Sequence, residues 1–216
     1  MRRVLALCAA LLAACSGDTA RDVLPPAEAS ALDGLRAVLR ARVGGGVAAP
    51  PPPGLAAVRA ALTPAVVAAL PPGTVLVAHE ATGAVWLSQR VATTGGVQTV
   101  LSEDGVTLSL RDGLVVASRG LGGDLMESDV ADAAAALRAG RARAVRTHGF
   151  LDGEDRVVTR AFDCRYAPAG DGVVERCFAT GLSFENTYAM RGGRIAASRQ
   201  WLGPRIGHLY LEPLTF

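Results

Sequence analysis

The sequence contains no lysine, and aromatic residues make up only 5% of its 216 residues. Arg2 and Arg3 account for the formal net charge of +2, because the other 20 arginines are balanced by 20 acidic residues. Those arginines are spread through both halves of the chain, so no basic patch is available for a nucleic acid or an anionic lipid surface. We therefore predict that the protein has no nucleic-acid partner.

Long apolar runs are also missing, since no stretch reaches the length of about 18 residues that is typical of a transmembrane helix. Val4–Ala14 is an apolar run of 11 residues that follows Arg2 and Arg3. It is shorter than the roughly 20 helical residues that cross a bilayer core. A basic start followed by a short apolar run predicts a signal peptide over residues 1–14, which is removed on export.

The residues Leu12, Ala13, Ala14 and Cys15 resemble the lipobox of bacterial lipoproteins. Processing is then expected to cleave before Cys15 and to leave acyl chains on its sulfur and its new amino group. Several acyl chains form a stable membrane anchor, because each buried CH₂ contributes about 0.8 kcal/mol. An incidental thiol near a conventional cleavage site is the alternative. Since Ser16 follows, we expect a lipid-anchored envelope protein at the periplasmic face of the outer membrane.

The chain has four cysteines, of which Cys8 lies in the predicted signal peptide and Cys15 is the predicted lipidation site. An even pair, Cys164 and Cys177, remains in an oxidising compartment, which suggests a disulfide. The turn-forming segment 167–172 separates two strand-like runs, so a hairpin would bring the two cysteines opposite each other. Half of a metal site is the alternative, but the histidines lack ligand spacing to these cysteines, and we predict no metal.

Helical and proline-rich segments precede the predicted β region. A helix capped by Ser30 is expected over residues 31–43, and the run 48–54 predicts an extended spacer that serves as a stalk or a surface loop. Thr63 as N-cap and Pro64 at the first helical position predict a second short helix. The expected organisation is a signal peptide over 1–14, a lipidated N-terminus with helix and linker over 15–61, and a β domain over 62–216.

From Thr74 onward the apolar residues alternate and turn signals recur about every ten residues, which predicts β-strands. Asp112 and Gly113 predict a tight type I′ turn, and a helix capped by Ser128 is expected over 129–139. We therefore predict a mostly β chain, folded as one antiparallel barrel-like or sandwich domain with one interrupting helix. The expected strands cover residues 75–80, 84–91, 97–102, 106–111, 114–119, 143–150, 156–166, 173–180, 184–190, 194–201 and 206–213.

No catalytic motif is complete in this sequence. The loop Gly120–Asp124 lacks the third glycine and the lysine of phosphate-binding loops, and its aspartate would repel an anion. No serine stands in G-x-S-x-G. The acidic turn of Asp152, Glu154 and Asp155 is poorly placed to flank a glycosidic bond and lacks the EF-hand pattern, so we interpret it as a solvated hairpin tip. We predict no catalytic residue and no cofactor.

Two residues near the C-terminus are candidates for contact with a ligand or a partner. Trp201 is a large apolar side chain on a late predicted strand, and core packing is its first expected role, with stacking on a sugar as the alternative. Arg199 is a candidate hydrogen-bonding group toward a glycan or a protein partner.

Three segments, Asp104–Leu108, Ser118–Met126 and Ser198–Pro204, together resemble the YjbF/GfcB family of group 4 capsule polysaccharide lipoproteins. The resemblance runs from about Leu62 to the C-terminus, and its most specific parts are the runs Arg-Gly-Leu-Gly-Gly-Asp-Leu-Met and Arg-Gln-Trp-Leu-Gly-Pro. It implies an envelope lipoprotein associated with capsule or exopolysaccharide production, with a mostly β, barrel-like fold. It implies no catalytic residue.

Two classes of function follow from the residues and the resemblance. The first is a non-catalytic accessory of polysaccharide export, which binds the polymer or a protein of the export machinery at the membrane surface. The second is a periplasmic hydrolase or glycan-modifying enzyme whose site is assembled from scattered residues. A pocket that holds His79, His148 or His208 beside a carboxylate with a shifted pKa would favour the enzyme.

Overall fold

The computed structural model describes residues 54–154 and 156–216. Cys15, the predicted helix over 31–43 and all of the proline-rich run except Gly54 lie outside the described residues. Among the residues that are described, no helix is long and apolar enough to cross a membrane. The described ranges form three helices, α1 (Leu55–Ala61), α2 (Pro64–Ala68) and α3 (Ala131–Ala139).

Twelve antiparallel strands form one sheet that curls into a nearly closed barrel. Successive strands pair with each other, except that β5 and β6 stand at the two ends of the sheet, and β1 pairs with β12. The barrel is therefore open only along the seam between β5 and β6. The strands are β1 (Thr74–His79), β2 (Ala84–Thr94), β3 (Val97–Ser102), β4 (Thr107–Arg111), β5 (Leu114–Arg119), β6 (Leu125–Asp129), β7 (Arg143–Leu151), β8 (Val157–Ala169), β9 (Gly172–Ala179), β10 (Leu182–Arg191), β11 (Arg194–Gly203) and β12 (Gly207–Pro213).

The predicted fold class is confirmed, and each of the eleven predicted strands overlaps an observed one. Asp112 and Gly113 have φ values of 52° and 83° and join β4 to β5 as the predicted two-residue turn. The sequence prediction missed β6, which is short and has a single fully buried side chain, Leu125. Its other residues, Met126 to Asp129, gave no clear alternation of apolar and polar side chains.

The predicted N-cap of α3 is wrong. Helix α3 starts at Ala131 with Val130 at the N-cap position and no side-chain capping bond, while the Asp129 Oδ1 accepts from the Ala131 N–H at 3.0 Å. Ser128 cannot cap the helix because it belongs to β6 and pairs with His148. The end of the helix is as predicted, with Gly140 in the left-handed conformation.

The short N-terminal helices cover the outer face of the barrel beside β1. Thr63 caps α2 as predicted, since its hydroxyl accepts from the Val66 N–H at 3.3 Å. Helix α1 is held by Arg59, whose guanidinium pairs with Glu212 at 3.1 Å and lies over the ring of Tyr210. The buried side chains beneath the helices are Val58, Val66, Leu70, Leu76, Ala78 and Val85. Strand β1 is consequently buried on both faces.

The β8–β9 hairpin has the register that its sequence predicts. Cys164 lies directly opposite Cys177, and the structure joins them in a disulfide with an S–S distance of 2.03 Å. Both cysteines are fully buried. The bond therefore crosses one rung of the ladder inside the barrel.

Candidate functional site

A cavity of about 640 Å³ opens at the end of the barrel where β2, β4, β10 and β12 finish. We call it the mouth cavity. Its rim consists of the turns that join β2 to β3, β4 to β5 and β10 to β11, and α3 lies against one side. Barrel mouths are common places for ligand sites, whose volumes are typically about 300–1,000 Å³. This cavity is therefore our candidate functional site.

Four charged side chains line the mouth cavity: Arg90, Asp112, Arg138 and Arg194. Arg138 and Asp112 form an ion pair at 2.7 Å, and both are more than half exposed. The guanidinium groups of Arg90 and Arg194 have no acidic or hydrogen-bonding partner in the described part of the chain. The cavity thus presents to a ligand two cations that have no partner among residues 54–154 and 156–216.

Apolar side chains form much of the remaining wall. Leu110 and Ile195 are buried, while the ring of Phe216 at the rim is 76% exposed. The other large apolar side chains of the wall are Val75, Leu137 and Met190. A site of this kind can bind a ligand that has both anionic groups and apolar faces. No histidine lines the mouth cavity.

A second polar cluster lies inside the barrel and is closed to solvent. Glu175 is fully buried and accepts from Arg146 at 2.7 Å, Tyr188 at 2.6 Å and Asn186 at 2.7 Å, and also from Tyr166. Arg146 is 1% exposed and also donates to the Tyr188 hydroxyl at 3.1 Å. Because the carboxylate accepts from four side chains, this cluster holds strands β7 to β10 together from within.

The charges of this cluster are mutually stabilised. Burial acts to raise the pKa of Glu175, but the Arg146 guanidinium and the hydrogen bonds from its neighbours outweigh burial and lower that pKa. Burial acts to lower the pKa of Arg146, and the charge of Glu175 reverses the effect. Burial and the same carboxylate raise the pKa of Tyr188 well above its ordinary range. Neither carboxylate nor phenol is therefore poised for proton transfer near neutral pH.

His148 lies beside this cluster in a box of aromatic rings. Its ring centroid is 5.5 Å from those of Phe162 and Phe184 and 5.7 Å from that of Trp201. It is fully buried, and neither ring nitrogen has a hydrogen-bond partner in the described structure. Burial, together with the charge of Arg146, lowers the pKa of His148 well below its ordinary value. His148 is therefore neutral and inaccessible to substrate.

The two predicted contact residues lie apart from the mouth cavity. Trp201 is 7% exposed and stacks on Phe184 with ring centroids 4.6 Å apart, so it packs in the core. Arg199 donates twice to the carboxylate of Glu80, at 2.6 and 2.8 Å, on the barrel wall. It also contacts His208 Nδ1 at 3.0 Å. Its guanidinium, whose side chain is 35% exposed, thus already has protein partners.

The Gly120–Asp124 loop has a structural role in the barrel seam. Asp124 accepts from the Ser118 hydroxyl at 2.8 Å and from the backbone N–H groups of Gly120 and Leu121 at 3.0 and 3.2 Å. Its carboxylate therefore occupies the donors that a bound phosphate would need. Gly123 lies against Arg205, where a Cβ atom would approach the Arg205 Cβ to 2.5 Å. The loop thus packs against the turn that follows Trp201.

Two other candidate clusters also have structural explanations. Asp152 accepts from the backbone N–H groups of Glu154 at 2.7 Å and Arg156 at 3.0 Å, and these bonds lower its pKa. Asp155 lies outside the described residues. Cys164 and Cys177 lie near Glu175, but their sulfurs are bonded to each other and offer no thiolate to a metal.

A smaller cavity of about 430 Å³ lies at the seam, where β4, β5, the second half of β6, the start of α3 and the middle of β7 line it. Its charged lining residues are Arg111, Glu127 and Asp129. The Ser128 hydroxyl is buried there without a hydrogen-bond partner among the described residues. The two acids and one arginine make it less cationic than the mouth cavity.

Sequence reasoning missed Arg90, Arg194 and the buried Arg146–Glu175 pair. Arg146 did carry a signal, because it alternates with His148 on the inward face of a predicted strand, where an apolar residue is expected. Arg90 and Arg194 carried none, since nothing in their local sequence shows that the two meet at one end of a barrel.

Comparisons with known proteins agree with the resemblance seen in the sequence. Residues 33–214 match the protein family described as "Group 4 capsule polysaccharide lipoprotein gfcB, YjbF". The crystal structure of the hypothetical lipoprotein YmcC from Escherichia coli K12 superposes with a TM-score of 0.59 at 17% identity. The match covers 69% of this chain and 87% of that one, and at this identity it shows a shared fold. No curated protein sequence matches significantly.

Proposed function

The chain belongs to the YjbF family of group 4 capsule polysaccharide lipoproteins, and from this membership we propose that it is a non-catalytic accessory of capsule or exopolysaccharide production and export. The family consists of envelope lipoproteins, which agrees with the lipobox at Cys15. The accessory acts by binding the polymer or a protein of the export machinery. The observation that carries this proposal is the mouth cavity, an open barrel end lined by two arginines for which the described structure shows no partner.

A binding role is supported by where the titratable groups lie. Glu175 and Arg146 are buried against each other, and neither lines the mouth cavity. None of the three histidines lines either of the two cavities. The feature that would favour a glycan-modifying enzyme, a histidine beside a carboxylate in an open pocket, is therefore not found at these two cavities.

Lipidation at Cys15 would hold the barrel at the periplasmic face of the outer membrane. Residues 1–14 act as the signal peptide, and the segment that begins at Cys15 connects the anchor to the barrel, on which α1 packs. A tether of this kind keeps the mouth cavity near the bilayer across which the sugar polymer is exported. Membrane contact is made through the acyl chains, and the barrel itself remains available to polymer or protein partners.

The proposal is tested in cells that lack the chromosomal copy of this chain. Wild type, Cys15→Ser and Cys8→Ser are expressed at matched levels, with fatty-acid labelling and surface polysaccharide as readouts. We expect Cys15→Ser to lose the label and most surface polymer, while Cys8→Ser, a matched control in the signal peptide, retains both. Normal surface polymer in cells without the protein would contradict the accessory role.

Enzymatic activity has a separate readout. The purified wild-type chain is incubated with the polymer of its host, and new reducing ends and polymer length are measured. We expect no change in either. A time-dependent release of reducing ends that persists after repurification would support the hydrolase alternative and overturn the non-catalytic role.

Arg199 remains a proposed contact to a partner, since part of its side chain is exposed beside Glu80. Arg199→Ala is compared with Arg176→Ala, which breaks another surface pair, with Glu185. If Arg199 contacts a partner, only Arg199→Ala lowers surface polymer at normal protein level. Equal polymer in both strains would remove this contact from the proposal.

A further inference from the structure

The mouth cavity has a local positive charge that the domain as a whole does not share. Three arginines and one aspartate line it, whereas the chain without Arg2 and Arg3 has equal numbers of arginines and acidic residues. Asp112 is already paired with Arg138 at 2.7 Å. The excess charge is therefore carried by Arg90 and Arg194, and it indicates an anionic ligand.

Arg90 is positioned by the barrel, since no charged partner faces it in the described part of the chain. It lies on β2, is partly buried, and its backbone N–H donates to the Gly73 carbonyl at 3.1 Å. Arg194 is exposed at the start of β11 and lines the same cavity. A guanidinium binds a carboxylate through two parallel hydrogen bonds, and such charge-assisted bonds are stronger than neutral ones. Two guanidiniums beside one cavity, neither with a partner among the described residues, therefore favour a ligand with an anionic group such as a carboxylate.

The apolar wall adds a second requirement. Leu110, Met190 and Ile195 line the interior, and the exposed ring of Phe216 lies at the rim. A pyranose ring presents apolar C–H faces between its polar edges, and an aromatic ring can stack on such a face. The volume of about 640 Å³ lies in the range of small-ligand sites.

We propose that the mouth cavity binds a carboxylated saccharide unit of the uronic acid type. Arg90 and Arg194 bind the carboxylate. The apolar wall described above, which includes Leu110 and Phe216, contacts the face of the sugar ring. The inference rests on the proposed function, because the choice of a saccharide comes from the family's association with capsule polysaccharide. The choice of a negatively charged unit comes from the arginines of the cavity.

The test is a binding titration of the full-length chain purified from membranes in detergent. The probes are trigalacturonic acid, the neutral trisaccharide maltotriose and the acidic peptide tri-glutamate. The variants are Arg90→Gln/Arg194→Gln and the control Arg143→Gln/Arg160→Gln. The two control arginines are exposed on β7 and β8, lie outside the mouth cavity and have no ion-pair partner among the described residues. Both double variants remove the same charge.

We expect trigalacturonic acid to bind wild type and the control variant equally, and the cavity variant about ten- to a hundredfold more weakly. Maltotriose and tri-glutamate are expected to bind at least about tenfold more weakly than trigalacturonic acid. Equal binding of maltotriose would overturn the charge requirement, and equal binding of tri-glutamate would overturn the saccharide requirement. If the control variant lost as much affinity for trigalacturonic acid as the cavity variant, net charge would explain the loss, and the assignment to the mouth cavity would be overturned.

Absence of trigalacturonic acid binding overturns this inference alone. The accessory function is judged separately by surface polymer in the deletion strain. If the deletion strain loses surface polymer but the purified chain does not bind uronates, the proposed function stands and this ligand class is excluded. Binding of uronates with unaltered surface polymer keeps the cavity assignment and contradicts the accessory role.

Discussion

The barrel interior differs between its two halves. The hydrophobic cluster beneath β1, β3, β4 and β12 has only aliphatic side chains as its buried members, among them Val77, Leu108 and Leu209. Between β7 and β10 the interior holds a disulfide, stacked rings and the Arg146–Glu175 pair. Aliphatic burial is non-directional, so several arrangements of similar volume can satisfy it. A buried charge has to find all of its partners, so the second half tolerates far less change.

The largest effect should come from breaking the buried pair. Glu175→Gln leaves Arg146 charged in the interior without its counter-ion, and we expect a loss of about 3–5 kcal/mol in the free energy of unfolding. Denaturant titration of both proteins measures it. Arg146→Met/Glu175→Met removes both charges and should recover much of the loss. If the double variant is as unstable as Glu175→Gln, the damage comes from the lost hydrogen bonds and not from an unpaired charge.

The aliphatic half should respond to lost volume. Leu108 is fully buried, and Leu108→Ala should cost about 3 kcal/mol, because it removes apolar contacts and leaves a cavity. Leu101, which is 38% exposed on the neighbouring strand, is the control, and Leu101→Ala should change stability by less than about 0.5 kcal/mol. Urea unfolding monitored by circular dichroism checks both. Similar costs for the two variants would mean that burial does not decide stability in this half.

The disulfide should contribute less than the ion pair. Its cysteines are 13 residues apart. Closing such a loop lowers the entropy of the unfolded chain and so adds up to about 3 kcal/mol to the free energy of unfolding. The hairpin register already restrains these residues, so we expect Cys164→Ala/Cys177→Ala to lose less than that. Thermal unfolding with and without reductant measures the difference, and the double variant should no longer respond to reductant. A wild type that titrates two free thiols under oxidising conditions would contradict the bond.

The smallest effect concerns pH. His148 stays neutral in the fold because its pKa is lowered, whereas in the unfolded chain it takes up a proton below about pH 6.5. The unfolded state then binds more protons, so stability should fall from pH 7 to pH 5, by at most about 1.4 kcal/mol per pH unit for this group. His148→Phe should flatten the slope. His208, whose pKa is also lowered, contributes in the same window, and His208→Gln shows how much.

The strand pattern could be predicted because each element is encoded locally. Apolar alternation and turn pairs such as Asp112 and Gly113 recur along the chain, and those signals depend only on neighbouring residues. Strand β6 was not predicted, because a single buried residue, Leu125, cannot show an alternation of buried and exposed side chains. The cap of α3 was assigned to Ser128 because the sequence does not show that this residue pairs with β7.

The candidate site could not be predicted in the same way. Arg90 and Arg194 belong to strands far apart in the sequence, and they share a cavity only because β1 pairs with β12 and the sheet curls. Likewise, Glu175 finds Arg146 across β8, with no spacing that relates the two. Contacts between distant segments depend on barrel closure, which alternation alone does not specify.

Local periodicity and turn chemistry alone therefore determined that this chain would be a set of antiparallel strands with a hairpin that aligns Cys164 and Cys177. Tertiary structure decided which residues are enclosed and which charges are left unpaired. The physical reason is that alternation assigns a side chain to a face of its strand, whereas closure of the sheet decides what lies opposite that face. Only that closure brings the partners of Glu175 together and places Arg90 and Arg194 in one cavity.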